Sequence, residues 1–145
     1  GAAGAIIAAE RNPDKIKLLF LEACYADTKE ALLSLYRWVN PFFGMIFGPM
    51  ILFWMNLFYR NKLDAVSPAR LAPMLKMPVM MIHGEKDRRF PLQFAQKLKN
   101  RFKSNHHVEL YIAPGAGHSD ASKTPGYQPA VKLFLERFMK TVICK

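Results

Sequence analysis

Two short apolar runs, each closing on a glycine-containing loop that carries an ionisable side chain, constrain this chain more than any other feature. Pro78 to His83 runs into His83-Gly84-Glu85-Lys86-Asp87, and Val108 to Ala113 runs into Pro114-Gly115-Ala116-Gly117-His118. Runs of this length and apolarity suit strands buried on both faces. Helical periodicity between them, from Pro91 to Phe102, makes a strand–helix–strand unit and therefore a parallel sheet with helices packed on it. Loops at the carboxyl ends of strands in such a sheet share one edge, where ligands bind. Asp87 and His118 are thus expected side by side although far apart in sequence. A carboxylate next to an imidazole is half of a nucleophile-activating relay. The carboxylate fixes the tautomer and stabilises the imidazolium, while the histidine moves the proton.

The flanking segments extend the same alternation. The alanine-rich start through Arg11 suits a helix that packs closely on a sheet, and Asn12-Pro13-Asp14 ends it. Ile16 to Ala23 reads as a further buried strand. Asp27 or Thr28 is placed to cap a helix running to about Tyr36. A last amphipathic helix is expected from about Gln128 to Thr141, with Val131, Phe134, Leu135 and Phe138 on one face.

Residues 41–59 depart from that pattern. They are apolar enough to invite a membrane span, and Gly44 and Gly48 form a GxxxG spacing. Pro41, Pro49 and Asn56 count against a span. A hydrophobic cap over a pocket, touching a lipid surface, is the preferred reading, with Phe42, Phe43, Phe47 and Trp54 as candidate substrate contacts. Aromatic clusters of this kind, Phe53 included, more often serve packing than a ligand cage.

Composition narrows the function classes. Of 145 residues 51% are hydrophobic, which excludes a mainly disordered chain, and the formal net charge is +10. The basic residues are scattered, without a nucleic-acid-binding signature, so no nucleic acid partner is expected. Cys24 and Cys144 are far apart, with no CxxC or Cys/His cluster. Neither a metal, a cofactor nor a disulfide framework follows, and Cys24 reads as a buried thiol. His83 is expected to be buried and to support the acid loop, His106 and His107 to face solvent. Glu85 and Asp120 are the runner-up acids.

The run from Pro78 through His118 resembles the last two strands of α/β-hydrolases, in which an HGxxD loop supplies the acid and a GxGH-like turn the base. The resemblance implies Asp87 as the acid and His118 as the general base. Pro91 suits the start of the helix after the acid loop, and Gly117 leaves room beside the histidine. Gly1-Ala2-Ala3-Gly4-Ala5 looks like the close of a G-x-S-x-G nucleophile elbow entering its helix, with Gly1 as the elbow's final glycine. The implied fold is the C-terminal half of an α/β-hydrolase: parallel strands, packed helices and a helical cap inserted at about 28–62, in one partial domain over 1–145. Within the superfamily the pattern, with Ser67-Pro68 before the Pro78 run, looks most like the serine-aminopeptidase and lysophospholipase-like branch.

By that likeness the protein is a serine hydrolase acting on an ester, thioester or amide, with a small-molecule or lipid-like acyl substrate. Its nucleophilic serine would lie two residues before Gly1, because Ser34, Ser67, Ser104, Ser119 and Ser122 all lack the elbow context. The chain alone is expected to be inactive and to need the N-terminal segment of the same fold as a partner, which would also cover the edge of its first strand. The cytoplasm is the favoured compartment, with association to a membrane through 41–59. The rival reading is a non-catalytic cationic binding or scaffold protein that keeps the hydrolase fold.

Overall fold

The computed structural model describes residues 1–60, 62–103 and 105–143; Ser104 and Cys144 lie outside the described residues. Strands β1 (Leu19–Glu22), β2 (Val79–Gly84) and β3 (Val108–Ala113) form a parallel sheet in the order β1-β2-β3. Six helices accompany it among the described residues: α1 (Ala2–Arg11), α2 (Thr28–Val39), α3 (Pro41–Phe58), the single turn α4 (Pro68–Leu71), α5 (Leu92–Lys99) and α6 (Tyr127–Ile143).

Side-chain alternation along the central strand divides the core in two. Val79 and Met81 join Leu19, Leu21, Ile6, Leu75 and Leu98 on the face covered by α1, α4 and α5. Met80 and Ile82 join Ala113, Phe134 and Phe138 on the face covered by α6. All six residues of β2 are buried, as a strand with neighbours on both edges and helices on both faces requires. Truncating Leu21 or Met81, each almost wholly buried, would cost about 2–5 kcal/mol.

Strand β1 is shorter than its apolar run. Its ladder begins where Leu19 donates to the Pro78 carbonyl and pairs with Val79; Pro78 has no N–H with which to continue the ladder backward. It ends at Ala23, whose φ of 49° is left-handed. Ile16 and Leu18 still pack against the two cores without a ladder partner. Helix α5 stops at Lys99 rather than Phe102, because Arg101 and Phe102 donate only three residues back, to Leu98 and Lys99.

The cap of α2 differs from expectation. Asp27 occupies the N-cap position, but its side chain makes no capping bond and pairs with Lys97 at 2.6 Å. Ser67 Oγ instead accepts from the Thr28 N–H at 3.1 Å and donates to Thr28 Oγ1. The helix runs past Tyr36 to Val39 and stops before Pro41. Asn40 then caps α3 by accepting from the Phe43 N–H at 3.0 Å. Helix α3 passes Pro49 without a break for 18 residues.

Helix α6 is longer than predicted at both ends, and its face divides. Phe134 and Phe138 enter the core. Val131 and Leu135 are half-buried and border an open apolar groove with Tyr127 and Met139.

Candidate active site

The acid loop leaves β2 and the base loop leaves β3 at the same edge of the sheet, as parallel topology demands. Backbone hydrogen bonds stitch the two loops together: Glu85 N donates to the Ala113 carbonyl and Lys86 N to the Ala116 carbonyl. Glu85 Oε2 adds a third link by accepting from the Gly115 N–H at 2.8 Å. Gly84 makes this approach possible. A Cβ there would stand 2.2 Å from the Gly117 carbonyl oxygen and 2.6 Å from that of Ala116.

Within this frame His118 Nδ1 donates to Asp87 Oδ2 at 2.8 Å. The other carboxylate oxygen, Oδ1, accepts from the Arg89 and Phe90 N–H groups, each at 2.9 Å. The Asp87 side chain is fully buried, while 27% of the His118 side chain is exposed. The carboxylate is thus held from one side and aimed from the other. With the Nδ1 proton committed to Asp87, Nε2 of His118 keeps its lone pair as a base.

His83 lies beneath the loop with no exposed surface. Its Nε2 donates to the Phe90 carbonyl at 2.8 Å and lies 3.7 Å from Asp87 Oδ2. A carbonyl only accepts, so Nε2 carries the proton, and buried Nδ1 has no partner. Phe90 links these parts. Its N–H holds Asp87, its carbonyl holds His83, and its ring meets the His118 imidazole edge-on at 5.3 Å.

A pocket of about 260 Å³ opens beside His118, with walls from the start of α1 (Gly1–Ala3), the end of β1 (Glu22–Tyr25), Phe90 and Ser119. Gly1, the N-cap of α1, therefore sits at the same opening as His118. Ala23 and Ser119, with φ of 49° and 58°, are both left-handed non-glycine residues on this wall. Such conformations cost on the order of 1 kcal/mol and gather at functional sites. Glu22 Oε1 is buried without a hydrogen-bond partner. Burial pushes the Cys24 thiol up to about 12, so it is no thiolate nucleophile near neutral pH.

The other expected residues lie elsewhere. Glu85 ties the loops together, and Asp120 pairs with Lys123 at 2.6 Å. Asp120 Oδ2, rather than the imidazole, would be the nearest neighbour of a side chain at Gly117. His106 and His107 are exposed. Phe42, Phe43, Phe47 and Trp54 do not line the pocket beside His118. Helix α3 presses Gly44 and Gly48 into α2, which turns its aromatic side outward: Phe42 is 71% and Trp54 50% exposed. The helical hairpin formed by α2 and α3 meets the acid loop through α2 instead. Ser34 Oγ donates to the Arg89 carbonyl at 2.8 Å, and the Arg89 guanidinium lies 5.4 Å from the Trp38 ring centroid. Phe90 was not among the expected site residues, and Glu85, expected as a runner-up acid, ties the two loops together instead.

Residues 47–145 match the prolyl oligopeptidase family. Human protein ABHD12B is 26% identical over 135 residues, which take in 83% of this chain and 36% of that protein. An esterase from Pyrococcus furiosus superposes over 96% of this chain and 51% of its own, with a TM-score of 0.64 at 19% identity. An acylaminoacyl peptidase from Pyrococcus horikoshii superposes over 90% of this chain and 21% of its own, with a TM-score of 0.57 at 21% identity. The chain therefore spans about a third of the human relative and about half of the esterase. An α/β-hydrolase from a lagoon-sediment metagenome shares the fold as well, with a TM-score of 0.60 and 20% identity over 94% of this chain and 58% of its own.

Proposed function

Because this chain belongs to the prolyl oligopeptidase family and has the α/β-hydrolase fold, we propose that Asp87 and His118 are the acid and base of a Ser-His-Asp relay that hydrolyses an ester, thioester or amide. The observation that carries the reading is the buried Asp87 carboxylate, fastened through Oδ1 by two backbone amides and bonded through Oδ2 to His118 Nδ1. Relatives described as an esterase and an acylaminoacyl peptidase support the reaction class.

The nucleophile in this reading is a serine two residues before Gly1. Gly1 lies on the rim of the pocket that holds His118, so such a serine would stand at the mouth of the same cavity. Its hydroxyl oxygen attacks the substrate carbonyl carbon as its proton passes to His118 Nε2. Asp87 stabilises the imidazolium. Collapse of the tetrahedral intermediate expels the leaving group, which takes that proton. Water then repeats the sequence on the acyl-enzyme and releases the acid. The amino end of α1 faces this opening, and its free N–H groups favour the negative charge that develops there.

The test is hydrolysis of p-nitrophenyl esters and an aminoacyl amide by the polypeptide that contains this chain. Turnover lost in His118→Ala and in the variant of the upstream serine supports the relay. Turnover that survives His118→Ala contradicts it. A folded polypeptide that turns over no ester, thioester or amide and retains the Asp87–His118 bond would be the non-catalytic binder instead.

A further inference from the structure

Helix α3 is long and apolar enough to cross a membrane, yet only 11% of it is buried. Its exposed large apolar residues fill the broad face opposite Gly44 and Gly48, from Phe42 and Phe43 through Met50, Phe53 and Trp54 to Phe58. No Asp or Glu occurs anywhere from Arg37 to Lys62, and basic residues stand at both ends: Arg37 before the helix, Arg60 and Lys62 after it. All three are exposed, on a chain of net charge +10.

The connections of the hairpin decide how this helix can meet lipid. Gly44 and Gly48 are its only buried residues, and both face α2: a Cβ would come within 2.6 Å of Arg37 N at Gly44 and within 2.9 Å of Leu33 Cδ2 at Gly48. The GxxxG face is therefore occupied by α2 and is not free to pair with another membrane helix. Helix α2 is itself fixed to the body at both ends. At its start Thr28 bonds Ser67 and Asp27 bonds Lys97; toward its end Ser34 and Trp38 hold Arg89 of the acid loop. Lys29 pairs with Asp64 at 2.8 Å, which returns the chain after α3 to the start of α2. Both ends of α3 thus lie at the surface of the folded body, and the helix runs along that surface.

We propose that α3 is an in-plane docking helix for an anionic bilayer surface. Its aromatic and aliphatic face enters the headgroup–acyl boundary while Arg37, Arg60 and Lys62 contact phosphates. The inference does not rest on the hydrolytic reading, because binding alone reports it.

The test is co-sedimentation of the polypeptide containing this chain with phosphatidylcholine vesicles, with and without phosphatidylserine. Binding is expected on the anionic vesicles and is weaker on the neutral ones. The double variant Phe53→Glu/Trp54→Glu should weaken anionic binding on the order of tenfold or more, by placing charge where apolar surface enters lipid. Arg60→Gln/Lys62→Gln should weaken it about thirtyfold and leave neutral vesicles unaffected. Circular dichroism matching the parent shows that the variants remain folded. Three results overturn the proposal: no preference for anionic vesicles, retention through alkaline carbonate as a spanning helix would show, or an oligomer that the Phe53/Trp54 variant dissociates while vesicle binding is unchanged.

Discussion

The edge of the sheet that carries Asp87 and His118 and the α2–α3 hairpin beside it treat their side chains in opposite ways. Strand β2 buries all six of its residues and hands the chain to a loop whose carboxylate has both oxygens occupied. Helix α3 is three times as long and buries only two glycines. At the edge, the Asp87 carboxylate has been taken out of water and both of its oxygens are answered by partners in the same fold. Along the hairpin, apolar groups have been left in contact with whatever surrounds the protein. Burying a bonded carboxylate is tolerable because its partners are local, whereas exposed apolar surface is stabilised only by something outside the chain. The edge is therefore held by partners within its own fold, whereas the hairpin leaves an apolar face exposed.

Substitutions on the two sides should separate accordingly. The largest effect is expected from His118→Ala, which should lower kcat/KM of the complete protein by about 10⁴ or more. Its melting temperature should hardly change, because the side chain makes one strong hydrogen bond and is partly exposed. Asp87→Asn should follow, at about 10³–10⁴. An asparagine oxygen can still accept from the Arg89 and Phe90 amides, but its NH₂ then faces His118 Nδ1 and imposes the wrong tautomer. Steady-state kinetics on both variants, with urea midpoints alongside, distinguish a lost proton path from a lost fold.

Gly84→Ala comes next and tests the frame rather than the chemistry. The added methyl would overlap the Gly117 carbonyl, so stability should fall by about 3 kcal/mol or more, read as a lower denaturant midpoint. On the hairpin, Phe42→Ser should alter stability by no more than about 0.5 kcal/mol, since that ring is 71% exposed. A large loss there would mean that α3 has a packing partner and would erase the contrast between the regions.

Lys97→Met probes the tie between the hairpin and the body. Hydrogen bonds that it donates to the Asp27 and Glu30 carboxylates raise the Lys97 ammonium above its usual 10.5. A raised value in the folded state means stabilisation that is fully present below 10.5 and lost as pH climbs through the higher folded value. With the side chain 45% exposed, the contribution is at most about 1 kcal/mol. Wild type and variant should therefore differ slightly at pH 7 and converge only above about pH 10.5. Chemical denaturation at neutral and alkaline pH measures the difference.

Much of the edge was legible in the sequence because parallel strands place their following loops together. Once Pro78–His83 and Val108–Ala113 were recognised as strands, Asp87 and His118 had to become neighbours. The supports were harder to read. Phe90 acts through its backbone N–H, its carbonyl and its ring, and the first two are available to any residue. Glu85 has a carboxylate like that of Asp87, and only the loop geometry turns it onto the Gly115 amide. The hairpin was legible as apolar but not as oriented. The aromatic residues of α3 share one broad side, and contact with α2 through Gly44 and Gly48 on the other side turns them outward rather than over the pocket. Strand β1 was overextended for a similar reason: Ile16 and Leu18 are apolar because they pack, although the ladder begins only at Leu19.

The central claim is that Asp87 and His118 serve a nucleophile carried by the same polypeptide. The most direct measurement is the intact mass of that polypeptide after treatment with a fluorophosphonate, in the parent and in His118→Ala. The account predicts one adduct on the parent, located on a serine two residues before Gly1, and labelling slowed by orders of magnitude in the variant. Absence of an adduct on the folded parent, or labelling as fast in His118→Ala, would contradict it.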